Sequence, residues 1–305
     1  MIEFREFDKI RIFTNGINLS ARVGGSGPPL LLLHGFPQNG NCWGKIAPAL
    51  SESYTCIAPD LRGYGESDKP EDDPKHSSYS KRTMAMDIAG ILDFLGFDKV
   101  RIAGHDRGAR VAYRFALDHP NRVAKLAILD VVPTGDFWAG WNAEIAISAY
   151  HWTFLAQPSP LPENMILADP DSFVDWTIAS WTAQKSLSPF DSASLESYRS
   201  QARERDCVAA MCADYRAGAF LDRRVDNEDR LRGRIIQCPV HFIWSERGFP
   251  AKTPDPLGIW RRWAANLTGE MIRGSGHFIM EEQPEEAAGA LLRFFGDSES
   301  RSGAK

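Results

Sequence analysis

Two short segments of this 305-residue chain carry side chains suited to covalent chemistry. In RIAGHDRG, residues 101–108, an apolar run leads straight into Gly104-His105-Asp106-Arg107-Gly108, and a helical pattern follows. An acid at the centre of Gly-X-Asp-X-Gly, between strand and helix, is pushed outward by a tight turn, with backbone N–H groups beside it. An ionised carboxylate there is already a nucleophile at neutral pH and needs no base to attack carbon. The plain alternative is a helix N-cap aspartate in a β–α turn. In GSGHF, residues 274–278, His277 lies between a strand pattern and the last helix, where an imidazole can serve as a base. Two acids could hold that ring: Asp130, ending AKLAILD, and Glu246, after VHFIW. Asp130 is the better placed, because its strand is expected beside that of Asp106.

Arg107 and Arg110 stand three residues apart in the helix after Asp106, so they share a face and can grip a carboxylate with charge-assisted bonds. A neutral substrate needs no such pair. Surface charge, or pairing with a neighbour such as Asp118, is the competing account.

The elements that must position these residues alternate between strand and helix. Apolar runs occur in PPLLLLHGF, YTCIAPD, KVRIAGHD, VAKLAILDVV, CPVHFIW and GEMIRG, with helical patterns near Ser80–Leu95, Arg107–Asp118, Asp255–Ala265 and Pro284–Phe295. Runs apolar on both faces need helices on both sides, which predicts a mostly parallel, doubly wound α/β sheet. Asn15-Gly16 between alternating runs predicts an antiparallel hairpin at the start. Gly24-Gly25-Ser26-Gly27 reads as a turn, since it lacks the Lys-Ser/Thr end of a phosphate loop. After Pro133 the strand runs stop until about Val225, and the stretch between is helical in pattern. The expected organisation is a core of residues 1–133 and 226–305 with a helical cap, 134–225, inserted after the sixth strand, and a ligand cleft between them. The polar tail SESRSGAK reads as disordered.

Composition excludes several functions. The chain is 43% hydrophobic and 25% charged with a formal net charge of -5, so it has no polycationic footprint for nucleic acid or an anionic membrane. No apolar run approaches the roughly 18 residues of a membrane span, and no apolar leader follows the charged start, so a cytoplasmic location is expected. Five scattered cysteines fit buried thiols, not a disulfide framework or a zinc site, and no acid/His cluster has metal-ligand spacing. No cofactor is expected.

HGFPQ, PDLRGYGES, GHDRGAR and GSGHF together resemble the α/β-hydrolase superfamily over the whole chain. Within it, Asp106 followed by Arg107 and Arg110, an Asp ending the next strand and His151-Trp152 in the cap resemble the fluoroacetate dehalogenases. The resemblance implies Asp106 as nucleophile, His277 and Asp130 as its base and support, and the Phe36 and Arg107 amides as an oxyanion site. It also implies Arg107 and Arg110 on the substrate carboxylate, and His151, Trp152 and Tyr215 around the halide. Read without it, Tyr150-His151-Trp152 would be cap core. Trp181 is a candidate pocket wall, with packing as an equal explanation. The implied partner is a small haloacid, and the implied assembly a homodimer. The alternatives are an epoxide hydrolase, which shares the Asp nucleophile but usually has Trp after it, and a non-catalytic binding protein of the same fold.

Overall fold

The computed structural model describes residues 3–296; the tail expected to be disordered lies outside them. Eight strands form one sheet: β1 (Asp8–Thr14), β2 (Ile17–Gly24), β3 (Pro29–Leu33), β4 (Thr55–Pro59), β5 (Val100–His105), β6 (Val123–Leu129), β7 (Val240–Ser245) and β8 (Leu267–Ile272). Their order is β1-β2-β4-β3-β5-β6-β7-β8, antiparallel where β2 meets β1 and β4 and parallel from β4 onward.

Burial follows the sequence pattern for a physical reason. Leu30–Leu33 of β3 and Leu126–Leu129 of β6 are fully buried because helices cover both sheet faces there, so both side-chain directions must be apolar. The edge strands β1 and β8 are only partly buried. At the expected hairpin, Asn15 and Gly16 both have positive φ, 48° and 79°, the combination that a two-residue turn with the right twist requires. The helix Lys81–Leu95 begins where Ser80 accepts from the Thr83 N–H and packs on β1 and on the helix Arg107–Asp118, which itself lies on β3, β5 and β6. The helix expected near 255–265 is shorter, Pro256–Arg261, because the chain then turns inward to bridge Ala264 to Ile236 and feed β8. All five cysteines are buried and unpaired.

Between β6 and β7 the described chain forms helices and no strand. The sequence-based division at 225 falls inside the helix Arg223–Leu231. Its buried Asp226 accepts from Tyr113 Oη at 2.8 Å, from the Gly135 N–H at 3.0 Å and from Arg114 at 3.1 Å, which ties the end of the helical stretch to the helix Arg107–Asp118.

Strand order reverses between β3 and β5: the chain leaves β3 towards β4 on one side and β5 towards β6 on the other. Loops leaving two such strands diverge and open a crevice at their carboxyl ends. Phe36 follows β3, Asp106 follows β5, Asp130 follows β6 and His277 follows β8, so all four converge on that crevice.

The turn after β5 is held by close approach more than by glycine flexibility. The left-handed conformation falls on Asp106 itself, φ 47° and ψ −114°, while Gly104 and Gly108 have ordinary φ. A Cβ on Gly108 would lie 2.3 Å from the Leu33 and His34 carbonyl oxygens, and one on Gly35 would lie 2.4 Å from the Asp106 Cβ. Backbone oxygens cannot rotate away as a side chain can. Gly108→Ala is therefore expected to cost at least about 2 kcal/mol of stability in urea unfolding, as overpacking a filled interior does; an unchanged midpoint would show that this approach is not what requires glycine.

Candidate active site

Asp106 is 6% exposed, and its Oδ1 accepts a 2.9 Å hydrogen bond from the Phe36 backbone N–H. Its Oδ2 lies 3.8 Å from His277 Nε2, too far for a hydrogen bond but near enough for a water to serve both. Burial alone would raise the carboxyl's pKa. The positive charge of His277, with smaller contributions from His105, Arg107 and Arg110, outweighs it and holds the group below its ordinary value. Asp106 is thus an anion in an enclosed site.

His277 Nδ1 is 2.7 Å from Asp130 Oδ2, and Asp130 Oδ1 accepts from the Ser245 N–H at 2.9 Å and the Ser245 hydroxyl at 2.8 Å. With the acid fixed through Oδ1 and its Oδ2 on Nδ1, the ring presents Nε2 to Asp106. Burial would lower the imidazole pKa; the hydrogen bond and charge of Asp130, and then the charge of Asp106, carry it above the usual value. Glu246, the other candidate, is exposed and accepts from the Gly274 N–H at 3.0 Å, so it braces the loop and not the ring.

The two arginines are both buried but have different surroundings. Arg107 Nε and Nη2 reach the two carboxylate oxygens of Asp214 at 2.9 and 2.6 Å, and Nη2 also donates to the Asp214 carbonyl at 2.7 Å. Asp214 also pairs with Lys81 and accepts from Tyr64 Oη at 2.9 Å. Against the penalty of burial, the charges of Arg107 and Lys81 hold its carboxyl far below the usual range. Arg110 Nη1 instead donates to the Val132 carbonyl at 2.9 Å and the Thr134 hydroxyl at 3.0 Å; it pairs with no carboxylate among the described residues, and its Nε has no partner there. Arg110 lines a cavity of about 170 Å³ with Asp106, His151, Trp152, Trp181, Phe249 and His277, whereas Arg107 is not on its wall. Asp118, named as a competing partner, binds Arg82, Arg114 and Arg234.

The aromatic residues surround Phe36. His151 stacks on it at 6.1 Å, Tyr215 meets its edge at 5.2 Å and Trp181 tilts against it at 6.1 Å. Trp152 packs on Tyr215 at 5.8 Å and receives the Arg110 guanidinium on its face at 4.6 Å. Burial brings His151 down to about 3 and lifts the Tyr215 phenol well above its usual value, so at neutral pH the imidazole is uncharged and the phenol keeps its proton. Tyr215 Oη and His151 Nδ1 are buried without a hydrogen-bond partner among the described residues. Unpaired buried polar atoms are costly, and here two of them flank Phe36.

Asp214, Lys81 and Ser245 were not found from the sequence. Asp214 is adjacent to Tyr215, but nothing local links it to an arginine 107 positions earlier. Asp214→Asn would leave Arg107 and Lys81 buried without their shared counter-charge. We expect a loss of about 3–5 kcal/mol of unfolding free energy, measured by urea titration; a loss below about 1 kcal/mol would mean that the two cations find compensation elsewhere.

Similarity to known proteins agrees with this geometry. A family model described as "alpha/beta hydrolase fold" matches residues 28–284. A fluoroacetate dehalogenase from Burkholderia sp is 39% identical over 97% of this chain and 96% of its own length. A soluble epoxide hydrolase from Corynebacterium sp. (strain C12) is 32% identical over 92% of this chain and 94% of its own. The crystal structure of ALR0039 from Nostoc sp PCC 7120, 41% identical, superimposes with a TM-score of 0.92 over 95% of this chain and 98% of that one. Sheet order, the strained acid after β5 and these relatives converge: the chain belongs to the α/β-hydrolase fold family.

Proposed function

We propose that this α/β hydrolase is a haloacetate dehalogenase that converts fluoroacetate, and analogues such as chloroacetate, to glycolate and halide. The observation that carries this reading is Arg110: a buried guanidinium with no carboxylate partner among the described residues, on the wall of the cavity that holds Asp106. Burying a cation is costly unless something compensates it, and a substrate carboxylate would do so. Arg107 is matched by Asp214 and lies off the cavity wall, so Arg110 supplies the charge that meets the substrate carboxylate.

The chemistry then divides in two. With Oδ1 held by the Phe36 N–H, Asp106 Oδ2 attacks the halogen-bearing carbon; the carbon–oxygen bond forms as the carbon–halogen bond breaks, and halide leaves with the electron pair. His151 and the Trp152 indole N–H on the cavity wall are the candidate donors to it, with Tyr215 Oη, which packs on Trp152 outside that lining, a third, and Trp181 forms part of the wall. In the second step His277 Nε2 takes a proton from water, and the resulting hydroxide adds to the Asp106 ester carbonyl. The Phe36 and Arg107 amides stabilise the oxyanion. Collapse expels glycolate, whose alkoxide recovers the proton from His277; the carboxylic acid left on Asp106 then gives its own proton to His277 and on to solvent, which restores the carboxylate. No step requires a metal or cofactor.

Halide release measured on fluoroacetate and chloroacetate, beside diol formation from styrene oxide, tests the reading. Haloacetate turnover without diol supports it; diol without halide assigns the chain to epoxide hydrolysis, and neither to a binding role. Arg110→Gln is expected to cost on the order of 2–5 kcal/mol in kcat/KM for the acid, with little effect on fluoroacetamide, itself expected to be a poor substrate of the wild type. Equal losses on acid and amide would remove Arg110 from carboxylate binding.

His277→Asn separates the two steps. It is expected to release one halide per chain and stop, leaving a carboxymethyl ester on Asp106 detectable by intact and peptide mass spectrometry. Unmodified protein, from an enzyme whose wild type releases halide, would overturn the ester mechanism.

A further inference from the structure

A second cavity, of about 160 Å³, adjoins the catalytic one and shares Trp181, Phe249, Lys252 and His277 with it. Three cations stand on its wall, Lys185, Arg247 and Lys252, and no carboxylate does. This is unexpected in a chain whose acids outnumber its bases, 40 to 35. The three come from separate parts of the chain: Lys185 follows the helix Pro170–Trp181, Arg247 follows β7, and Lys252 ends a short turn beyond it.

None of the three is committed to a counter-ion among the described residues. Lys185 Nζ donates to the Ser180 carbonyl, Arg247 Nη1 to the Ala183 carbonyl at 3.2 Å, and Lys252 Nζ lies 5.9 Å from the centre of the Phe249 ring. Glu282 is the acid that acts on Lys185 electrostatically, and its carboxylate is occupied by the N–H groups of Ala183, Gly276 and Phe278. Glu246 is likewise held by the Gly274 N–H. Burial, then the charges of Lys252 and Arg247, depress the Lys185 pKa, as expected for cations gathered at one opening.

We propose that Lys185, Arg247 and Lys252 form an anion-collecting mouth on the His277 side of the catalytic cavity, selecting small carboxylates before they reach Arg110. The proposal rests on the haloacid reading for its substrate, and gives that reading an entrance. A one-signed cleft between low-dielectric walls concentrates counter-ions, and salt weakens the effect over a Debye length of about 8 Å at physiological ionic strength. The mouth acts on capture and not on bond breaking, so it changes KM and leaves kcat alone.

The test uses the full chain and the variant Lys185→Gln/Arg247→Gln/Lys252→Gln. Binding of trifluoroacetate, and of its neutral isostere trifluoroacetamide, is followed by fluorine NMR at low and high sodium sulfate. At low ionic strength the variant is expected to bind the acid about tenfold more weakly than wild type, bind the amide equally, and lose the salt dependence that wild type shows for the acid. Where haloacetate is turned over, KM rises by the same factor with kcat unchanged. Equal acid affinity in the two proteins, or a parallel loss for acid and amide, overturns the mouth. The haloacid reading fails separately: wild type that releases no halide, yet loses trifluoroacetate binding in the variant, keeps the anion mouth and discards the substrate assigned to it.

Discussion

The site depends on one steric constraint, the near-contact between the loop after β3 and the turn after β5. Asp106 can occupy φ 47° only because its neighbours leave it no other path: the Leu33 and His34 carbonyls press on Gly108 from one side, and Gly35 lies against the Asp106 Cβ on the other. A non-glycine residue in a sparsely populated region carries strain of order 1–3 kcal/mol, which the fully packed strands on either side absorb. The same approach brings the Phe36 N–H within 2.9 Å of Oδ1. One oxygen is therefore spoken for and the other is turned towards His277, so orientation of the carboxylate follows from backbone packing and not from a side-chain rotamer alone.

Charge is arranged around that acid in layers. The Arg107–Asp214–Lys81 cluster is bonded through both Asp214 oxygens, with Tyr64 adding a neutral donor, and Asp222, 3.7 Å from Lys81 Nζ, balances the second cation. Such a cluster contributes less to stability than its short distances suggest, because desolvation offsets much of the attraction. Its effect is to fix a cation beside the site while leaving little net charge to attract a ligand. Arg110 is the contrasting case, anchored by a carbonyl and a hydroxyl that orient the guanidinium without neutralising it. Farther out, Lys185, Arg247 and Lys252 are exposed and screened by solvent. Among the described residues, cations without an ion-pair partner thus occur around the second cavity and at the wall of the catalytic one, and paired cations behind it.

How much of this was legible in the sequence depended on distance along the chain. The strands could be read because β3 is apolar throughout and β5 and β6 carry unbroken apolar stretches, Ile102–Gly104 and Leu126–Leu129, a direct record of being covered on both faces. The acid after β5 and the histidine after β8 could be read because each stands at a strand end, where an α/β sheet places its chemistry. The helix after β7 was overestimated, since buried Trp260 and Trp263 keep the apolar pattern going past the point where the backbone leaves the helix for the Ala264 bridge. Arg107 and Arg110 looked equivalent because helical spacing reports a shared face and nothing about partners. What distinguishes them is Asp214, reached only when the helix Arg205–Ala217 folds back over the site. The haloacid resemblance supplied His151, Trp152 and Tyr215, whose composition by itself is that of a packed aromatic core.

On the proposed mechanism, the electrostatics of His277 change between the two steps in the direction catalysis needs. In the free site the imidazole pKa is raised by Asp130 and by Asp106, which favours the protonated ring. A protonated ring helps to keep Asp106 ionised, as the nucleophile must be, and a neutral ring does not hinder attack. Once Asp106 becomes an ester its charge is gone, while the Asp130 hydrogen bond at 2.7 Å remains. The imidazole pKa then falls towards what burial and Asp130 alone dictate, and the neutral form, the one able to take a proton from water, gains population. The base is released by the product of the step before it. Asp130, held on one oxygen by the Ser245 N–H and hydroxyl, keeps the ring aimed throughout, so the switch is one of charge and requires no movement of the chain.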